Sequence, residues 1–269
     1  MPVGSPFRTT GRVRGVLAGT FRFVSTETIY TAALDLVASY HAKQPFKTHL
    51  DVGSGKGRLI ELMKQRFGVQ SSACDYTDTL MKLPGQKVEV ANLNHEKLPY
   101  PDNSFDLVTA TEVIEHLEHY RETVREFYRV LKPGGVCILS TPNILNIKSR
   151  LRFLTCGFWN LFGPLPVRNS DLYTTGGHIN PVSSFYIGHT MMDAGFDEVQ
   201  FRVDKYQRSS IPALVLFYLP IQFFGWLARN KEVNKYKTID PHNAPMVDAM
   251  NTLPVLLGRT IIVSAAKPK

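Results

Sequence analysis

The sequence predicts an α/β fold built on a doubly wound, mostly parallel sheet, and three observations carry that expectation. The run His49-Leu50-Asp51-Val52-Gly53-Ser54-Gly55-Lys56-Gly57 joins a β-prone stretch to a glycine turn. Behind it, Arg58 to Phe67 places Leu59, Ile60, Met63 and Phe67 on one helical face. Strand-like and helix-like runs then keep alternating, as parallel strands joined by crossover helices require. Finally, Val136 to Ser140 is nearly all apolar, which suits a strand buried on both faces.

A helix is expected over residues 26–42, where Ser25 or Thr26 can cap and Ile29, Ala32, Ala33, Leu36 and Val37 recur at helical spacing. The first strand is about 47–52, and the helix after it ends before Gly68. Gln70 to Cys74 forms a second strand ending at Asp75, and Val88 to Ala91 a short third one. Phe105 to Ala110 is the fourth strand. A helix over 121–131 follows, with Val124, Phe127, Tyr128 and Leu131 on one face. Val136 to Ser140 is the fifth strand, and a short basic and apolar helix is expected from Ile147 to Thr155. After a Gly/Pro-rich loop from Gly157 to Gly177 comes a helix with Pro181 in its first turn, running to about Ala194. A sixth strand at about 197–204 and a β-branched run from Thr260 to Val263 complete the sheet.

The glycine turn is neither a Walker loop nor the dinucleotide fingerprint, whose third glycine comes three positions after the second. Its preceding acid, Asp51, suits a ligand with a cationic amino group better than a pyrophosphate. Asp75 lies eighteen positions past Gly57, close to the ~20 that places an acid on ribose hydroxyls. Three further runs follow in order: Leu98-Pro99-Tyr100-Pro101-Asp102-Asn103-Ser104-Phe105-Asp106-Leu107-Val108, Glu112-Val113-Ile114-Glu115-His116-Leu117, and Leu131-Lys132-Pro133-Gly134-Gly135. Together these resemble the ordered motifs of the class I S-adenosylmethionine-dependent methyltransferases, over about residues 45–145 with a weaker tail to 205. Within that family the chain is most similar to the ubiquinone-pathway O-methyltransferase-like small-molecule group. A weaker resemblance is to the Hen1-type small-RNA 2′-O-methyltransferases.

The resemblance implies a Rossmann-like, seven-stranded sheet whose last strand is antiparallel, with a helical and loop-built acceptor cap. It implies S-adenosyl-L-methionine as cofactor and methyl transfer, expected at oxygen, to a small or lipid-linked acceptor. Cofactor contacts would fall on Asp51, Gly53, Ser54, Gly55, Asp75, Tyr76, Asn92, Leu93 and Thr111. Asp51 would orient the loop and the methionine ammonium, and Asp75 would hold the ribose. The family usually has an acid near Asn92, where Asn92 or Asn94 offers only an amide carbonyl. The organisation expected is a basic arm and helix over 1–46, a core of 47–205 plus 258–269 with an acceptor-side loop at 143–190, and an apolar insertion at 206–257.

Glu112, Glu115, His116 and His119 stand at i, i+3, i+4 and i+7, so a helix would align them. Glu112, Glu115, His116 and His178 would be the ligands of a divalent metal in the alternative reading as an RNA 2′-O-methyltransferase. His178, however, sits in Gly-His-Ile-Asn-Pro and lacks the Arg-His-x-Asp-His context of those enzymes, so no metal is expected. His116 or His178 is then the catalytic base, because imidazole titrates near neutral pH. A third alternative is a membrane-associated binding protein that keeps the fold without the activity.

The 269 residues carry 43% hydrophobic and 20% charged side chains, a globular balance, with net charge +8. No nucleic-acid-binding motif accompanies that charge. Three unpatterned cysteines and no zinc spacing point to a reducing, cytoplasmic compartment. Residues 1–26 hold Arg8, Arg12, Arg14 and Arg22 and no acid, a composition that fits a transit peptide, a membrane-facing arm or a mobile lid. Ile211 to Ala228 holds no charge and is flanked by Arg208, Arg229 and Lys231. Pro212, Pro220 and Gly225 predict two short pieces with a bend, lying on a membrane surface, buried as a cap or held against a second copy. Nothing in the pattern sets an oligomeric state.

Overall fold

The structure, a computed structural model, describes residues 27–165 and 177–269. The basic arm at 1–26 and the 166–176 part of the acceptor-side loop lie outside the described residues. Seven strands form one sheet: β1 Thr48–Val52, β2 Gln70–Asp75, β3 Val88–Val90, β4 Phe105–Thr111, β5 Leu131–Pro142, β6 Asp197–Val203 and β7 Thr260–Ala266. Their order is β3-β2-β1-β4-β5-β7-β6. All neighbours pair in parallel except at β7, which runs antiparallel to both β5 and β6.

Helices α1 Glu27–His41 and α2 Arg58–Phe67 cover one face of the sheet. Helices α3 Tyr120–Val130 and α5 Ser184–Asp193 cover the other. The two-residue period of the strands feeds both layers. Leu107, Ile138 and Ile262 join Leu36, Val37 and Met63 on the first face. Val108, Leu139 and Val263 join Val124, Phe127 and Met191 on the second. The helix expected from Pro181 instead starts at Ser184, capped by Ser183, whose side chain accepts from the Tyr186 N–H. A serine side chain satisfies a first-turn donor, which proline cannot do.

Between β6 and β7 the chain makes one long excursion. Helices α4 Ile147–Cys156 and α6 Ile211–Lys231 lie against each other at its base, and α7 Ala244–Ala249 and α8 Leu253–Leu257 form the return leg. The outgoing and returning strands meet in a neck: the Gln207 N–H donates to the Leu257 carbonyl (2.8 Å), and the Arg259 N–H to the Lys205 carbonyl (3.1 Å). The two-piece expectation for 211–228 is corrected here, because α6 is a single helix of 21 residues with Pro220 inside it. Pro212 falls in the first turn, where an N–H has no intrahelical partner, and Pro220 deletes only one ladder bond at a helical φ. Gly225 lets the helix approach Asn251, whose Nδ2 would lie 2.5 Å from a Cβ added there. The Gln222 side-chain amide donates to the Asn251 carbonyl (2.8 Å), and Arg150 donates to both Asn251 Oδ1 and the Met250 carbonyl.

Candidate active site

Strand order reverses between β1 and β4, and in open α/β sheets the ligand crevice lies beyond the carboxyl ends of the strands at such a point. The glycine turn emerges there. Gly53 takes φ +70 and Gly55 φ +48, conformations that side-chain-bearing residues rarely adopt. The Gly53 and Ser54 N–H groups donate to the Cys74 carbonyl (2.8 and 3.2 Å), tying the turn to β2. Asp75 completes the cradle: its Oδ2 accepts from the Gly55 N–H and its Oδ1 from the Tyr76 N–H, both at 2.7 Å. Ser54 Oγ is buried and has no partner among the described residues.

Asp51 is buried, and its Oδ1 accepts from the Thr109 hydroxyl (2.7 Å) across the β1–β4 pairing. Thr109 Oγ1 lies 2.8 Å from His49 Nε2, and His49 Nδ1 lies 2.9 Å from Ser71 Oγ on β2. Because Thr109 gives its proton to Asp51, its oxygen accepts from His49, which places the imidazole proton on Nε2. Ser71, His49, Thr109 and Asp51 thus form one directed hydrogen-bonded chain through the interior of three strands. Burial holds the His49 pKa down at about 3 and pushes that of Asp51 up to about 7. The sequence reading missed Thr109 and Ser71. The available signal was two polar residues, His49 and Asp51, alternating with the apolar Leu50 and Val52 along one buried strand.

Past β4 the expected helix over Glu112, Glu115, His116 and His119 does not form. Glu112 takes φ +57, and one tight turn, Ile114–His116, follows. Glu112 is drawn to Ser140, whose Oγ donates to Glu112 Oε1 (3.0 Å). A left-handed residue breaks the helical ladder, so the four side chains never share a face. The turn does pack on the glycine loop: a Cβ on Gly53 would meet Val113 Cγ2 at 2.3 Å. Residues 179 and 180 strap it down, their N–H groups donating to the Glu115 carbonyl (2.9 and 3.0 Å).

Glu115, His116 and His178 come together, with ligating atoms within 4.8 Å of one another, and Glu112 is not among them. His116 and His178 meet edge to face, their centroids 5.0 Å apart, and the Phe162 ring packs at a tilt of 57° against His178. His116 Nδ1 lies 3.0 Å from the Gly177 carbonyl, which only accepts, so that nitrogen carries the proton and Nε2 the lone pair. Burial lowers the His116 pKa below its ordinary 6.5, and burial with the neighbouring His116 brings His178 to about 4. Glu115 is wholly buried, and neither carboxyl oxygen completes a hydrogen bond among the described residues. Burial and the nearby Glu112 push its pKa well above the usual carboxylate range. Glu112 itself is pushed by burial to about 7.

Of the other expected positions, Tyr76 is half exposed beside Asp75, and Thr111 is buried at the end of β4. Leu93 packs against the core. Asn92 Oδ1 accepts from the Asn94 N–H (3.1 Å), and Asn94 Oδ1 accepts from the Glu118 N–H (2.8 Å), so both amides shape the loop beside the turn.

A doubly wound sheet with an acid-bounded glycine loop at its switch point defines the nucleotide-cofactor class of α/β enzymes. Residues 50–139 match the family model described as a methyltransferase domain. The chain is 31% identical over 169 residues to demethylmenaquinone methyltransferase of Listeria welshimeri, covering 56% of this chain and 71% of that one. A 108-residue match to the Listeria monocytogenes enzyme of that name is 37% identical but spans only 46% of its length. The ubiquinone/menaquinone biosynthesis C-methyltransferase UbiE of Pseudomonas putida is 28% identical over 169 residues, 66% of its length. A solved S-adenosylmethionine-dependent methyltransferase from Archaeoglobus fulgidus superposes with a TM-score of 0.55 at 15% identity, covering 90% of this chain and 94% of that one, a likeness of fold. The chain belongs to the class I S-adenosylmethionine-dependent methyltransferases and resembles their ubiquinone-pathway group. It is a methyltransferase that uses S-adenosylmethionine, and the loop fits that cofactor: the partnerless Ser54 Oγ offers a polar contact, and two acids flank the turn.

Proposed function

We propose that the chain transfers a methyl group to the oxygen of a small, hydroxyl-bearing acceptor that carries a lipid-like tail. The observation that carries this reading is His116: neutral at physiological pH, fixed in one tautomer, and mounted on a turn that packs against the glycine loop. Asp51, Gly53, Ser54, Gly55, Asp75, Tyr76, Asn92, Leu93 and Thr111 would hold the cofactor, Asp51 facing its ammonium and Asp75 its ribose hydroxyls. When bound, S-adenosylmethionine supplies a methyl group made electrophilic by a sulfonium. His116 Nε2 takes the hydroxyl proton, and His178, held at a lower pKa, stays neutral beside the imidazolium that forms. Burial and the nearby Glu112 raise the pKa of Glu115, which disfavours a negative charge beside the base. The apolar excursion beside the acceptor side supports a tailed acceptor on a cytoplasmic membrane face.

A second reading, methyl transfer to carbon, is favoured by the names of the relatives. An ionised ring hydroxyl also activates the carbon beside it, so the same base serves both. Incubation with labelled cofactor and a panel of short-tailed phenols and hydroquinones, followed by mass spectrometry, distinguishes the two. A labelled ether is expected; a ring-methylated product would select the second reading, and no product from any hydroxyl-bearing acceptor would defeat both. His116→Gln should lower kcat by about 10²–10⁴. The acid limb of the pH profile should fall below pH 6.5, because the pKa of His116 is depressed. Turnover should persist with a chelator present.

A further inference from the structure

Helices on soluble domains face the core with their apolar side and water with their polar side. Helix α6 does not follow that rule. None of its residues is buried, and its outward stripe is Val215, Leu216, Leu219, Phe223, Phe224 and Trp226. Leu219 is 75% exposed and Phe224 66%. The inward side, with Leu214, Phe217 and Ile221, is apolar as well, so the helix is hydrophobic all round. Helix α4, lying against it, adds Phe153 and Leu154, the latter 78% exposed, and Phe158 follows just past its end.

Within the segments that carry this platform the charge has one sign, although Asp204 and Glu232 adjoin them and Asp248 neutralises Arg229. Residues 143–165 and 205–231 contain no Asp or Glu, while Lys148, Arg152, Lys205, Arg208, Arg229 and Lys231 lie within them. At the foot of α6 an open groove is lined by Lys205, Tyr206, Arg208, Ile211 and Leu257, where cations and apolar side chains meet.

The helix is long enough to cross a bilayer, about 31 Å at 1.5 Å per residue. Its attachments forbid a crossing. Both ends of the excursion are pinned in the same neck, at Gln207–Leu257 and Lys205–Arg259. At the far end Arg229 pairs with Asp248 (2.6 Å) on the return leg, where Met246 is buried against Gly188 of α5. A spanning helix would carry Arg229 and its partner to the side opposite the sheet.

We propose that α4 and α6 form a monotopic docking surface that lies in one leaflet of an anionic membrane, with the aromatic stripe among the acyl chains and the basic residues at the head groups. This goes beyond the acceptor reading and does not depend on it, since docking is measured with no acceptor present. Stripe and cations together supply the two attractions that interfacial helices use.

The test is flotation of the full chain with phosphatidylcholine vesicles containing roughly one-third phosphatidylglycerol, against phosphatidylcholine alone. Binding to the anionic vesicles, weakened by high salt, is expected. Leu219→Glu with Phe223→Glu should reduce partitioning at least about tenfold while cofactor binding by calorimetry is unchanged. In a Trp159→Phe background, Trp226 fluorescence should be quenched by brominated acyl chains, a readout that needs no change in the stripe. The proposal fails if the parent does not float or Trp226 is not quenched. It also fails if the glutamate variant binds as well as the parent. A parent dimer that ignores vesicles and dissociates in the glutamate variant would show instead that a second copy covers the stripe.

Discussion

His49 and Asp51 stand two residues apart on β1, facing the same side, and their titrations oppose each other. The unfolded chain takes up a proton at His49 below pH 6.5 that the folded chain refuses down to about pH 3, so this residue's contribution to stability falls as pH falls through that window. Asp51 runs the other way. Its carboxyl keeps a proton up to about pH 7 in the fold but loses it near 3.8 when unfolded, so its contribution falls as pH rises through that range. Thr109 and the charge of Asp75 are its other neighbours. His49→Gln, which keeps a donor toward Thr109, should remove the first slope. Its stability relative to the parent should rise by about 1.4 kcal/mol per unit as pH falls from 6 to 4, measured by urea unfolding. A difference that stays flat would mean the ring is not held neutral. Cofactor affinity should tighten as pH rises toward 7, as binding must displace the Asp51 proton, and Asp51→Asn should abolish that dependence in calorimetry. At this scale the glycine turn, Asp51 and Asp75 were legible because their pattern is local. Thr109 and Ser71 were not, because strand register brings them to His49 from 60 and 22 residues away. The left-handed Glu112 was hidden because its partner, Ser140, is 28 residues off.

Elements with a clean period were readable from the chain alone. Helix α3 and strand β4 fall within a residue of their expected ends, since one buried face dictates each. Helix α6 was misread because proline and glycine were taken as breaks. An interior proline costs about 3 kcal/mol relative to alanine, and length can absorb that in a helix of 21 residues. Gly225 is a contact position: its missing side chain admits Asn251, itself gripped by Arg150. Gly225→Val should therefore destabilise the fold by about 1–3 kcal/mol. With Asn251→Ala the double variant should lose less than the two single losses combined, as a denaturation cycle would show. Additive losses would mean that the two residues do not press on each other.

Across the whole molecule, the alternation of strands and helices was enough to place a parallel sheet, while the antiparallel final strand came only from the family resemblance. Strand order cannot be read from periodicity, yet it is what brings the ends of β1 and β4 together and gathers loops from residues 53, 75 and 111. Cofactor at about 100 times its Kd should stabilise the protein by about 2.7 kcal/mol. Hydrogen exchange should slow at residues 53–57, 75–76 and 111–117 and stay unchanged along α6. Protection spreading to α6 would show that the excursion closes over the cofactor.

Strand β7 is made after α6 but is inserted between β5 and β6. During synthesis, β6 has no neighbour to pair with until β7 leaves the ribosome, so the sheet stays open on that side. The 35 residues from Glu232 to Ala266 take about 2–7 s at ordinary elongation rates. Through that interval α6 has been made but the sheet it follows is unfinished. Closure of that edge therefore waits for the latest of the seven strands, and the loops that the finished sheet gathers are fixed only once β7 has been made.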